Sequence, residues 1–239
     1  MSVSSIQAVA HVLDTSTRVC VLTGAGVSAE SGIATFRDPD GLWARFSPYE
    51  LASMDGFLAN PERVRDWYSY RRSIITSAEP NAGHAALAAL EKVYSDNFTL
   101  VTQNVDRLHQ RAGSVRVLEV HGNIHENRCH DCGEIRIDDE RTCQHCSGAM
   151  RPNVVWFGED LPQDVFAAAE EASRVCDVML VVGTSADVWP AAGLPLTAKM
   201  AGAQIVEVNP NHTSLTPHAN YVLSGTSAEI LPQLYEALT

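Results

Sequence analysis

The sequence predicts an α/β protein: a parallel sheet with helices on both faces, interrupted by two inserted segments. Three observations carry that reading. Apolar or β-branched runs of strand length recur at residues 18–23, 98–102, 115–120, 154–157, 178–182 and 204–208. Helical patterns at 84–93, 163–173 and 189–201 lie between several of them, and such alternation encodes a sheet covered on both sides. The first run passes directly into Gly24-Ala25-Gly26-Val27-Ser28-Ala29, a G-x-G-x-x-A turn of the kind that joins the first strand of a Rossmann-like unit to its first helix.

Taken in order, the elements justify themselves locally. Ile6, Val9, Ala10 and Leu13 repeat at i, i+3, i+4, i+7 and predict an opening helix. Residues 38–79 break the alternation and are rich in Trp, Tyr and Arg. Within them Asn60-Pro61-Glu62 supplies a cap, a proline at the first helical position and an early acid, so a helix starts there. Residues 128–151 are polar and bracketed by cysteine pairs. At the C-terminus Leu231, Leu234, Tyr235 and Leu238 predict a closing helix, with Pro232 expected in its first turn, where no N–H is needed. The expected organisation is a Rossmann-like domain from 1–37, 80–127 and 152–239, a helical insertion at 38–79 and a ribbon insertion at 128–151.

Composition excludes several functions. The chain has 239 residues, 45% hydrophobic, and a net charge of −12 with Lys92 and Lys199 as its only lysines. An acidic chain repels nucleic acid and anionic lipid, so neither is expected as a specific partner. The longest apolar stretch, 178–183, is far shorter than the roughly 20 residues that span a bilayer. The first basic residue is Arg18, and Gln7 and His11 interrupt the early apolar residues; no targeting signal is read there, and a cytoplasmic location is expected.

Five sites carry chemistry. Gly24 and Gly26 let backbone approach a pyrophosphate at a helix N-terminus, but the acid that an ordinary NAD dehydrogenase carries about 20 residues further on is missing. Cys129, Cys132, Cys143 and Cys146 form C-x2-C-x10-C-x2-C, the spacing of a tetrahedral zinc held by four thiolates. With every position filled by protein the ion is structural, and His130 and His145 are read as exposed loop residues. Gln103-Asn104-Val105-Asp106 follows one predicted strand and His121-Gly122-Asn123 the next. An imidazole at a strand end suits a general base. Gly183-Thr184-Ser185 and Asn209-Pro210 follow two more strands, so polar groups gather at the C-terminal ends of five strands, as in a dinucleotide crevice.

In this order the motifs resemble one family, the sirtuins, NAD-dependent protein-lysine deacylases. The resemblance runs from about residue 18 to the C-terminus and rests on the segment 24–37, Gln103-Asn104-Val105-Asp106, His121-Gly122, the four cysteines, Phe157-Gly158-Glu159, Gly183-Thr184-Ser185 and Asn209. Ala34 stands where the family usually has proline, and Trp189 where tyrosine is common; neither removes a catalytic group.

The resemblance implies NAD as cofactor and one structural zinc ion. It implies that Gly24, Ala25, Gly26, Phe36, Arg37 and Trp43 belong to the cofactor loop, that Gln103 and Asn104 contact the nicotinamide-side ribose, and that Asp106 contacts the carboxamide. Gly183, Thr184, Ser185, Asn209 and the backbone near Ser227 would hold the adenosine half. In the family reaction the acyl-lysine carbonyl oxygen attacks the ribose carbon, nicotinamide leaves, and an alkylimidate remains. His121 then helps a ribose hydroxyl attack the imidate carbon, with Asn104 as its catalytic companion, and water completes the release of lysine and O-acyl-ADP-ribose.

The partners implied are acyl-lysine proteins or peptides, added as a strand between the segments near 157–159 and 184–189, and the chain is expected to be a monomer. Tyr68 and Arg71, in Trp67-Tyr68-Ser69-Tyr70-Arg71-Arg72, resemble the Tyr-x-x-Arg element of the sirtuins that remove malonyl, succinyl and glutaryl groups. At i, i+3 a phenol and a guanidinium share a helix face and can grip one carboxylate. The alternatives are a deacetylase only, an ADP-ribosyltransferase, a zinc-ribbon binding module and an NAD-dependent oxidoreductase.

Overall fold

A computed structural model describes residues 5–36, 41–42 and 46–239; Arg37 and Trp43 lie outside the described residues. Six strands form one parallel sheet: β1 (Val19–Thr23), β2 (Phe98–Thr102), β3 (Val117–Glu119), β7 (Val178–Val182), β8 (Gln204–Asn209) and β9 (Tyr221–Ser224). Their spatial order is β3-β2-β1-β7-β8-β9. The chain thus builds outward from β1 on one side, returns, and builds outward on the other, leaving a crevice between β1 and β7 beyond their carboxyl ends.

Alternation along the strands sends side chains to two cores. Val19, Val21, Phe98, Leu100, Leu180 and Val206 pack under α1 (Ile6–Asp14), α6 (Ala82–Tyr94) and α10 (Ser227–Leu238). Cys20, Leu22, Val101, Met179 and Ile205 pack under α8 (Gln163–Val175) and α9 (Leu194–Met200). Both faces being covered, the central strands β1 and β7 are buried along their whole length.

The helical insertion comprises α3 (Pro48–Leu51), α4 (Met54–Ala59) and α5 (Pro61–Ser77). As its sequence predicts, α5 opens on Asn60, whose side chain accepts from the Arg63 N–H at 3.1 Å, with Pro61 next. It packs a third core, in which Phe57, Val64, Tyr68 and Ile75 meet Val105, Ile124 and Trp156.

The cysteines belong to a second sheet of three strands in the order β5-β4-β6: β4 (Gly122–Cys129), β5 (Ile135–Arg136) and β6 (Met150–Val154). Its pairing is antiparallel and reaches from Gly122 to Val154. The short helices α2 (Gly26–Ala29) and α7 (Leu108–Arg111) follow β1 and β2.

Three local expectations are corrected. The apolar run 154–157 is not a strand of the main sheet: Val154 closes β6 of the ribbon, and Val155 and Trp156 leave in an irregular segment. They are apolar because the segment runs between two cores, Trp156 entering the third and Val155 packing against the second. The helical pattern 189–201 contains α9 preceded by one 3-10 turn, Ala191–Gly193. Pro232 sits in the interior of α10, which starts earlier, at Ser227, on a capping box between Thr226 and Glu229. A proline there deletes one helical hydrogen bond, and burial of Leu231 and Leu234 on either side offsets that loss.

Candidate active site

Register brings the polar strand ends together. Thr23 lies beside both Thr102 and Val182, Val182 beside Val208, and Thr102 beside Glu119, so five strands end nearly flush. Gly24, Gln103, Gly183 and Asn209, which come next, and His121, one residue further on after Val120, therefore face one crevice.

At the switch point two backbones touch. The Gly24 N–H donates to Val182 O at 3.1 Å and the Gly26 N–H to Gly183 O at 2.8 Å. A Cβ on Gly26 would lie 2.8 Å from Gly183 O and 2.9 Å from Gly183 Cα. Neither atom belongs to a flexible side chain, so Gly26→Ala must part the two loops. The expected cost is about 1–3 kcal/mol, a fall in Tm of roughly 2–4 °C for each kcal/mol, accompanied by weaker NAD binding. Calorimetry with and without NAD checks both.

The helix after this turn is a single turn long, so loop N–H groups rather than a long macrodipole make the cradle. A cleft of about 460 Å³ opens there, lined by Gly24, Gly26, Thr184, Ser185, Asn209 and Ser227 among others. Asn209 Nδ2 donates to Thr184 O at 3.0 Å and ties the loops after β7 and β8 together. Ser227 Oγ is buried with no partner among the described residues.

Beneath the crevice lies a buried polar network. Asn104 Nδ2 donates to Gly24 O at 3.1 Å and to Ser28 Oγ at 3.2 Å, which spends its amide hydrogens on the scaffold. Ser28 Oγ in turn donates to Asp106 Oδ2 at 2.7 Å, and the Leu108 N–H donates to Asp106 Oδ1 at 2.9 Å. His84 Nε2 stands 3.4 Å from Ser28 Oγ, while its Nδ1 accepts from the Asn81 N–H at 3.3 Å. The tautomer is therefore fixed with the proton on Nε2. Burial pulls His84 down to about 4, with Asp106 opposing the fall, and His109 behind it down to about 3, with His84 adding to the fall. Both rings are neutral at neutral pH and act as hydrogen-bonding struts. Sequence reasoning left Ser28, His84 and His109 out of the site, because only tertiary packing brings helix α6 under the strand ends.

His121 is held by one bond. Its Nδ1 lies 3.1 Å from the Gln103 carbonyl oxygen. A carbonyl only accepts, so Nδ1 carries the proton and Nε2 keeps its lone pair. Burial lowers the His121 pKa, and the Gln103 bond raises it by less. The ring is a neutral base at neutral pH. Gln103 is fixed in its turn, with Nε2 donating to Thr184 Oγ1 at 3.0 Å.

A second cavity of about 200 Å³ shares Ala25, Phe36, Gln103, Asn104 and His121 with the first and continues to Tyr68 and Arg71. Arg71 is 7% exposed. Among the described residues it has no ion pair or hydrogen bond; instead its guanidinium lies 5.0 Å from the ring centre of Phe36, 4.8 Å from Trp67 and 5.8 Å from Tyr68. Burial lowers its pKa, and Tyr68 and Asp106 counter that; an arginine this basic stays charged. Burial raises the Tyr68 phenol, which is neutral and able to donate.

The four cysteine sulfurs lie within 4.8 Å of one another, with Cys129 and Cys146 at 3.4 Å and Cys132 and Cys143 at 3.7 Å. Zinc–sulfur bonds of about 2.3 Å in a tetrahedron put sulfurs close to that far apart, so the cluster fits a structural zinc ion. The Cys132 N–H, ahead of opposing burial, brings the Cys129 thiol down to about 7 and readies it for metal. His130 and His145 are exposed and outside the cluster. Arg65 of α5 donates to Met150 O and Arg141 O of the ribbon, at 2.8 and 3.2 Å. A strong chelator is thus expected to remove one zinc per chain and lower Tm by several degrees, read by metal analysis and calorimetry.

The Sir2 family model matches residues 24–190. The chain belongs to the Sir2 family. Relatives of this Sir2 protein include the NAD-dependent protein deacylase of Aquifex aeolicus, 48% identical over 227 residues and covering 92% of this chain and 95% of that one. The NAD-dependent protein deacylase of Mycobacterium tuberculosis is 48% identical over 233 residues, covering 92% and 98%. Among solved structures, a Sir2 homologue in complex with NAD superposes with a TM-score of 0.92 at 42% identity, covering 99% of this chain and 95% of that chain. A Sir2 protein bound to a myristoylated histone peptide superposes with a TM-score of 0.79 at 36% identity, covering 98% and 95%. No helix among the described residues is long and apolar enough to cross a membrane.

Proposed function

We infer that this chain is an NAD-dependent protein-lysine deacylase. The observation that carries the reading is the convergence of His121, Asn104 and Gln103 on the wall shared by two cavities, one lined by the glycine cradle and one by Tyr68 and Arg71. A dinucleotide on one side and an acyl-lysine on the other would meet at His121. The names of the relatives support the same activity, and the acylated histone peptide on a Sir2 neighbour supports acyl-lysine proteins as substrates.

NAD, when bound, supplies an electrophilic ribose carbon with nicotinamide as its leaving group. Gly24, Gly26, Gly183, Thr184, Ser185, Asn209 and Ser227 hold the dinucleotide. Ala25 and Phe36 cover it, and Arg37 and Trp43 are assigned to the same loop by resemblance. Asn104 presents Oδ1 to the ribose side, because its nitrogen is already engaged. Asp106, braced by Ser28 and the Leu108 N–H, accepts from the carboxamide. His121 Nε2 takes the proton of a ribose hydroxyl. The covered site keeps water from the cofactor until the acyl group has been captured.

The acyl groups removed include those that end in a carboxylate. The supporting observation is Arg71, a buried cation with aromatic neighbours and no ion pair among the described residues, in a cavity that also receives the Tyr68 hydroxyl. A buried charge is costly unless paired, and a succinyl or malonyl carboxylate would pair it. We further propose that the chain acts as a cytoplasmic monomer without a nucleic-acid partner, in keeping with its charge of −12.

The test is incubation with NAD and matched acetyl-lysine and succinyl-lysine peptides, following peptide mass and nicotinamide release. Succinyl loss that depends on NAD and releases nicotinamide is expected. Formation of NADH, or NAD binding without turnover, would overturn the deacylase.

A further inference from the structure

Trp156 sits on the ribbon side of the acyl cavity, and its Nε1 lies 2.8 Å from the Tyr68 hydroxyl. An indole N–H is a donor only. Tyr68 Oη therefore accepts this bond, and its own hydrogen must point elsewhere. Among the described residues the Tyr68 hydroxyl donates to no side chain or carbonyl, and Tyr68 lines the cavity.

The indole is itself immobilised. Its backbone N–H donates to Glu159 Oε2 at 2.8 Å, the buried Arg151 guanidinium stacks 3.4 Å from its ring centre, and Phe57 packs at 5.4 Å. Arg151 is held by Glu159 through an ion pair and by Val154 O at 2.7 Å. A rigid donor thus sets the orientation of the hydroxyl of Tyr68, a residue only 2% exposed to solvent.

We propose that Trp156 is a specificity-determining positioning residue: by donating to Tyr68 it aims the Tyr68 O–H into the cavity, selecting acyl groups that carry a terminal acceptor, above all a carboxylate. This rests on the acyl-carboxylate reading of Tyr68 and Arg71 and adds the reason the phenol is a donor there. An acetyl methyl offers nothing to that hydrogen, so acetyl turnover is indifferent to it.

The test is Trp156→Phe, which keeps an aromatic ring and deletes the donor, with kcat and KM measured on succinyl-lysine and acetyl-lysine peptides beside Arg71→Met. The expected result is a roughly five- to tenfold fall in kcat/KM for the succinyl peptide, the scale of one hydrogen bond, carried by KM, with acetyl turnover within about twofold. Because the smaller ring leaves room to repack, Trp156 is also replaced by its benzothiophene isostere, which preserves shape and lacks the N–H; the same loss is expected. In the parent protein the Trp156 indole 15N–1H resonance should shift on addition of succinyl peptide with NAD and stay in place with acetyl peptide. Equal losses on both peptides in the isostere would overturn the proposal and make Trp156 a packing residue. An unchanged succinyl KM while Arg71→Met loses desuccinylation would overturn it and leave the acyl-carboxylate reading standing. Indifference of the succinyl reaction to Arg71→Met would remove that reading and this inference with it.

Discussion

Replacing Arg71 by Met is expected to abolish desuccinylation while leaving most of the deacetylation. The guanidinium is buried against Phe36, Trp67 and Tyr68 and has no ion pair among the described residues. A succinyl carboxylate entering beside it would be desolvated as well, and would be stranded if the cation were gone. Truncating one member of such a buried pair costs about 2–5 kcal/mol, a loss of roughly thirty- to several thousandfold in kcat/KM. Met is unbranched, shorter than Arg and suits an apolar aromatic wall, so an acetyl group still fits. The empty site no longer carries an unpaired charge either, and Tm should hold or rise. Initial rates on paired peptides together with calorimetry check this; equal loss of both activities would sink the carboxylate assignment.

Replacing His121 by Ala is expected to lower deacylation by about 10²–10⁴-fold, the usual contribution of a positioned general base. In the proposed reaction the base acts after nicotinamide has left, so exchange of labelled nicotinamide into NAD, which reports the first step, should persist. Loss of both together would assign His121 to binding instead. The pH dependence has a definite sign. Nε2 must be unprotonated to act, and burial lowers the His121 pKa despite the Gln103 bond. Activity is therefore held through neutral pH and lost on acidification, with its midpoint below the ordinary imidazole value near 6.5. A midpoint above that value would contradict a buried, Nδ1-anchored ring.

How much of this was legible in sequence follows from the range of the interactions. Residues 98–102, 178–182 and 204–208 are strands as read, because a short β-branched run buried on both faces is recognisable without its neighbours. The edge strand β9, four residues and half-exposed, leaves no such trace. The run 154–157 looks equally strand-like, yet its hydrophobicity serves the core under α5, and a local pattern does not tell which core it feeds. Pro232 misleads for a related reason: propensity places it in a first turn, and tertiary burial of α10 overrides the preference.

The chemistry divides along the same line. The cysteine spacing determines the four-sulfur cluster, because two knuckles bring their thiols together with little help from the rest of the chain. The Gly24-Ala25-Gly26 turn, the strand-end polar residues and the Asn60 helix start are likewise local, and the sequence by itself determined them. Tertiary structure alone decided what those groups do together. Parallel register laid five strand ends flush, α6 carried His84 to Ser28 and Asp106, and α5 turned Tyr68 and Arg71 inward beneath Trp156. The strand pairs join residues 79 and 159 positions apart and the two hydrogen bonds residues 56 and 88 apart, separations over which no periodicity or spacing carries information; they exist because buried apolar surface has few ways to close and most buried polar groups find a partner.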